Sequence, residues 1–150
     1  MGGGCEGKRG GNPPAIQGSF AAREIAPGAT WKIYLRASDP DGDMKRIVCT
    51  IDQPGAGAYP VRFIPIPEDQ KKELSGYIYL HTFQSQGMAH LTLRLTIQIQ
   101  DQGKNESPPI HFPLRFNPLA KEEEPPPGTF GERDLGPIMI ELVPLKSSAA

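Results

Sequence analysis

No sign of charge dominates this 150-residue sequence: 16 Lys and Arg stand against 17 Asp and Glu, a formal net charge of −1. That leaves no broad basic field to hold a polyanion, so nucleic acid is excluded as an expected partner. Long apolar runs are missing too. None approaches the roughly 18 consecutive apolar residues of a membrane span, and no N-terminal apolar stretch is long enough for a secretory signal, so the chain as written is expected to be soluble. The motifs of common catalysts are absent, with no G-x-S-x-G, H-E-x-x-H, C-x-x-C or P-loop. Three histidines and two cysteines leave few groups for acid–base or nucleophilic work at neutral pH, and the expectation is a protein that is not an enzyme.

What is present is alternation broken by turns. The 17 glycines and 17 prolines fall mostly between short runs with a period of two, as turns fall between strands. Trp31, Ile33, Leu35 and Ala37 alternate with Lys32, Tyr34, Arg36 and Ser38, the signature of a strand with one buried face. Leu91, Leu93, Leu95, Ile97 and Ile99 repeat the pattern over the longest run and predict a central strand. Further strands are expected at Ile47, Cys49 and Ile51, at Ile78 and Leu80, and at Ile110, Phe112, Leu114 and Phe116. Residues 15–20 and 59–66 are weaker candidates, the second limited by Pro60 and Pro65 to an edge strand or an irregular one. Residues 68–74 suit one helical turn. The sum is one all-β domain, a seven- or eight-stranded antiparallel Greek-key sandwich over residues 14–117.

The flanks read differently. Residues 1–13 are glycine-rich and have nothing to bury, which predicts a flexible tether. Within it Cys5 follows three glycines, a setting that resembles the processed end of a bacterial lipoprotein. The basic and apolar residues that normally precede such a cysteine are missing, so Cys5 is either a lipidation site whose upstream segment is not in this sequence or an idle thiol. After Phe116, Glu122 to Glu124 run into Pro125 to Pro127, and residues 118–137 are expected to be an extended, solvated linker. Ile138, Ile140 and Leu142 alternate again, predicting a last strand over residues 138–145. It could join its own sheet, as local connections favour, or be offered to a neighbour by strand addition.

The stretch from Asn12-Pro13-Pro14 through the Trp31 strand to Ser38-Asp39-Pro40-Asp41-Gly42-Asp43 resembles the immunoglobulin-like and cadherin-like repeats of bacterial surface proteins and lipoproteins. The strand of Leu91 to Ile99 and the polar loop that opens with Asp101 are similar to their penultimate strand and last loop. The resemblance implies an immunoglobulin-like sandwich and an extracytoplasmic location in the periplasm, at the outer membrane or on the cell surface. It also implies work by contact, as a spacer, adhesion module or assembly subunit with a protein partner in an envelope complex. Membrane attachment would come only through a lipid on Cys5.

In that fold the loops at Asp39 to Asp43 and at Asp101 share one end. Asp39, Asp41, Asp43 and Asp101, with Asn12, Asn105 and Glu106 near, would gather the oxygen ligands that Ca²⁺ requires. The plainer reading is a tight turn made by Pro40 and Gly42 and solvated by its aspartates. An EF-hand is excluded, since Gly42 stands fourth in the run and no glutamate closes the loop at the needed distance. The alternative function is therefore a calcium- or carbohydrate-binding module, with Tyr34, Tyr77 and Tyr79 as exposed aromatics for a sugar. His81, His90 and His111 are read as surface residues, Cys49 and Trp31 as core.

Overall fold

The computed structural model describes residues 12–83 and 86–142. Cys5 and the lipidation expected on it lie outside the described residues, as do residues 1–11 of the tether and residues 143–145 of the last expected strand. The described strands are β1 (Ala15–Ala21), β2 (Glu24–Ile25), β3 (Trp31–Ser38), β4 (Met44–Gln53), β5 (Gly57–Ala58), β6 (Arg62–Pro65), β7 (Glu73–Leu80), β8 (Thr92–Asp101), β9 (Ile110–Phe116) and β10 (Asp134–Pro137). Among the described residues the helical structure is two short 3-10 turns, at Glu68–Gln70 and Gln86–Met88.

Alternation sets the layers. In β3 Trp31, Ile33, Leu35 and Ala37 are buried, in β8 Leu93, Leu95, Ile97 and Ile99, and in β9 Phe112, Leu114 and Phe116. These rows come from different sheets and meet in one core, where a period of two lets each strand give one face to the interior and the other to water. In β4 Met44 and Ile47 are both buried although three residues apart. A bulge between Met44 and Arg46 absorbs the extra residue and restores the phase. One sheet runs β1-β3-β7-β10, and the other runs β2-β9-β8-β4-β5 with β6 also on β4. Pro60 and Pro65 bracket β6 and keep it to an edge.

Between β1 and β2 the chain turns at Ala22 and Arg23 and passes from the first sheet to the second. Backbone groups freed at such a crossing need partners. The Trp31 indole N–H donates to the Ala22 carbonyl oxygen at 2.9 Å, in a buried setting, so the core aromatic also ties the crossing.

Alternation predicts wholly antiparallel sheets, and the structure departs from that twice: β2 runs parallel to β9, and β10 parallel to β7. The second pairing follows from the path of the chain. After β9, the segment expected to be a free linker crosses the outer face of the four-stranded sheet. The Arg36 guanidinium donates to the Thr129 carbonyl at 3.2 Å, the Phe130 ring packs on Tyr34, and the Gly131 amide donates to the Ser75 hydroxyl at 2.8 Å. The chain thus reaches β7 near its beginning and can only run alongside it in the same direction. The last strand consequently forms at Asp134–Pro137, inside the stretch expected to be solvated, while Ile138 and Leu142 beyond it are buried. Gly76 makes room for it. A Cβ there would lie 2.4 Å from the Arg133 carbonyl oxygen, closer than any real side chain tolerates.

Candidate metal centre at the acidic pole

At the end of β3 the run Asp39-Pro40-Asp41-Gly42-Asp43 reverses the chain into β4. The Gly42 amide donates to the Asp39 carbonyl at 2.9 Å, and Gly42 takes a positive φ of 67° that suits glycine. The Asp41 amide donates to Asp39 Oδ1 at 3.0 Å, an Asx turn. From outside the loop, the Asp39 amide donates to the Lys72 carbonyl and the Gln102 amide to the Asp43 carbonyl, each at 3.0 Å. The turn is therefore held by backbone from two other segments, and its side chains are set by that frame.

Those side chains converge. Asp39, Asp41 and Asp43 each present a carboxylate oxygen within 4.8 Å of the others. Asp39 is fully buried, at 0% exposure. Its Oδ2 and the Oδ1 of Asp43 are buried with no hydrogen-bond partner, and among the described residues no Lys or Arg pairs with any of the three. A buried acceptor left unmatched costs about 1–3 kcal/mol, and a charged one more. Burial first, and then the adjoining Asp43 carboxylate, push the Asp39 pKa from 3.8 up to about 6, while the Asp41 amide pulls against them. Two buried carboxylate oxygens facing each other need something positive between them, a proton or a hard cation.

Asp101 lies at the same pole and adds to the repulsion on Asp39, but its own oxygens are taken. The Asn105 amide donates to Oδ1 at 2.8 Å and the Asn105 side chain to Oδ2 at 3.1 Å. It therefore stands outside the group of three. Asn12 reaches the pole through its backbone, donating to Asp41 Oδ2 at 2.9 Å. Glu106 is exposed and accepts from the Gln100 side chain.

The remaining candidates are dispersed. His81 and His90 follow and precede strands of different sheets and are exposed, as is His111, whose Nδ1 sits 2.9 Å from the Thr96 hydroxyl. Cys49 is in the core, and burial pushes its thiol up to about 12, so it is not a reactive group at neutral pH. The tyrosines expected to be exposed are not free: Tyr34 is buried, and Tyr77 and Tyr79 are half-buried in a chain of tilted rings that links Phe130, Tyr34, Tyr77, Tyr79 and His81. The Lys32 ammonium sits 4.6 Å from the Tyr77 ring centre. Phe130, the cover over Tyr34, was the signal available in the sequence: an aromatic between Gly128 and Gly131 in an otherwise polar run. No family model matches the chain, and no curated protein matches it in sequence.

Proposed function

We propose that this chain is a non-catalytic contact module of immunoglobulin-like Greek-key type, working outside the cytoplasm of a bacterium, whose acidic pole binds a divalent cation of the Ca²⁺ class. One observation carries the cation: Asp39 Oδ2 and Asp43 Oδ1 are buried and unpartnered in a loop held from outside by backbone hydrogen bonds. Asp39, Asp41 and Asp43 would supply carboxylate oxygens, and water or nearby carbonyls the rest of the six to eight that calcium takes. Three carboxylates with a half-exposed rim suit the weak calcium sites of extracellular modules, which fill at roughly 10⁻⁴ to 10⁻³ M, and this agrees with an extracytoplasmic setting.

Sheet membership supports the finer fold. With β1, β3, β4, β7, β8 and β9 taken as A, B, C, E, F and G, strands A, B and E share one sheet and C, F and G the other, as an immunoglobulin-like sandwich requires. In that reading β10 takes the edge beside E that strand D would occupy.

The test is thermal unfolding with chelator and then with millimolar Ca²⁺, on the native chain and on Asp41→Ala. At calcium ten times above its dissociation constant the native state gains about 1.4 kcal/mol. A rise in melting temperature that the variant lacks is the expected result. An equal response of both proteins, or none, would reduce the three aspartates to turn residues.

A further inference from the structure

At the other end of the molecule the segment after β9 arches over the four-stranded sheet. Its foot is pinned where the Asn117 amide donates to the Ile25 carbonyl and the Ala120 amide to the Asn117 carbonyl, each at 2.9 Å. Its far end is pinned by the contacts of Thr129, Phe130 and Gly131. Between them residues 121–125 make no hydrogen bond or ion pair among the described residues, and Lys121 to Glu124 are exposed. A cleft of about 330 Å³ lies beneath this arch, within the size range of binding pockets. The space exists because Ala22, Ala29 and Ala120 line it where larger side chains would fill it.

The cleft has two chemistries. Its floor is apolar, carrying Phe20 and Tyr34, which are paired in register across β1 and β3, together with Ile25. Its rim carries three acidic residues, Glu122, Glu123 and Glu124, and two basic ones, Lys121 and Lys32, and the Lys32 ammonium is already placed over the Tyr77 ring. One polar group on the floor is idle. Tyr34 is only 8% exposed, and its hydroxyl makes no hydrogen bond among the described residues. Burial raises the pKa of that phenol; Lys32 opposes this, and Glu132 and Glu124 add to it. At neutral pH it is a donor with no acceptor among the described residues.

We infer that the cleft is a docking site for a basic amphipathic peptide segment of a partner protein. The aliphatic stem of an arginine or lysine lies on Phe20, Ala22 and Tyr34 while its cation meets the three glutamates, as long basic side chains divide themselves between apolar and charged surroundings. The Tyr34 hydroxyl donates to a peptide carbonyl, a partner that a free amine lacks. The inference rests on the reading of the chain as a contact module and not on the cation, which binds at the opposite pole.

The experiment titrates the full chain into a fluorescent peptide of alternating leucine and arginine and follows anisotropy. A leucine–glutamate peptide and spermidine serve as comparators. The triple change Glu122→Gln, Glu123→Gln, Glu124→Gln replaces exposed side chains and is expected to leave the melting temperature unchanged. At exposed-pair strengths it weakens binding of the arginine peptide about tenfold, and added salt does the same. Tyr34→Phe weakens it without altering the salt dependence. Equal binding of the acidic peptide, unchanged affinity in the triple variant, or displacement by spermidine at matching concentration overturns the site. If neither peptide binds at millimolar concentration the cleft is not a docking site, whatever calcium does. If the arginine peptide binds while calcium gives no shift, the cation reading falls and the cleft stands.

Discussion

Stability of the cation-free chain is expected to fall as pH rises from about 4 to about 7, against the usual behaviour of carboxylates. The unfolded Asp39 loses its proton near 3.8, whereas the folded one keeps it to about 6, so between those values the folded state binds more protons. Stability must then decline with rising pH. The favourable term is complete below 3.8 and lost once pH passes 6. At about 1.4 kcal/mol per pKa unit, the ceiling is about 3 kcal/mol; Asp43 is half-exposed, and solvent screening brings the expectation to roughly 1–3 kcal/mol. For a chain of this length that is a melting-temperature difference of about 2–12 °C. Other carboxylates tilt the other way, Asp69 among them because Arg133 holds its pKa down, so the measurement is comparative. Asp39→Asn keeps an acceptor for the Asp41 amide and offers a donor to Asp43 at every pH. In chelator, the difference in urea unfolding free energy between native chain and variant should move in favour of the variant between pH 4 and pH 7, and Ca²⁺ should restore the native chain alone. Parallel pH profiles would refute the argument, because they would mean that the Asp39 and Asp43 oxygens are not buried against each other.

Three further outcomes follow from the packing. Gly76→Ala puts a methyl group against the Arg133 carbonyl; overpacking of this kind costs about 1–3 kcal/mol, and limited proteolysis should cut within residues 118–137 faster than in the native chain as β10 loosens. Trp31→Phe removes the donor to the buried Ala22 carbonyl, at about 1–3 kcal/mol for the orphaned acceptor alone, read as a lower urea midpoint. Cys49, buried with its thiol pushed up to about 12, should resist iodoacetamide at pH 8 in the folded chain and react once urea unfolds it; rapid labelling of the native protein would contradict its place in the core.

The strands were legible wherever the signal repeats. In β3 and β8 each added residue confirms the phase of the last, and one-residue errors would turn an entire apolar row to water. Bulges are less legible. The phase shift between Met44 and Ile47 shows only once β8 is beside β4. The acidic pole is an intermediate case. Asp39, Asp41 and Asp43 are neighbours in sequence, and a turn with proline and glycine brings them together within a frame that Lys72 and Gln102 hold from outside. Asp101 was placed at that pole by fold reasoning, yet its role is decided by Asn105, whose two donors occupy both of its oxygens. No pattern of acidic residues distinguishes a free carboxylate from one already satisfied.

The arch was the least legible feature, and the reason is physical. Its course depends on side chains that are not there: Gly76 lets β10 approach β7, and Ala22, Ala29 and Ala120 leave the cleft open. A missing side chain has no period and contributes nothing to an apolar count. The run of glutamates and prolines was read as a solvated linker, but a segment that builds no core of its own can still be laid across a sheet. Phe130 on Tyr34, the Arg36 bond to Thr129 and the Ser75 bond to Gly131 hold it there from three strand positions. Because those anchors lie at one end and Asn117 at the other, the glutamates between them project without partners among the described residues. The same geometry that hid the arch from a reading by periodicity is what leaves Glu122, Glu123 and Glu124 exposed.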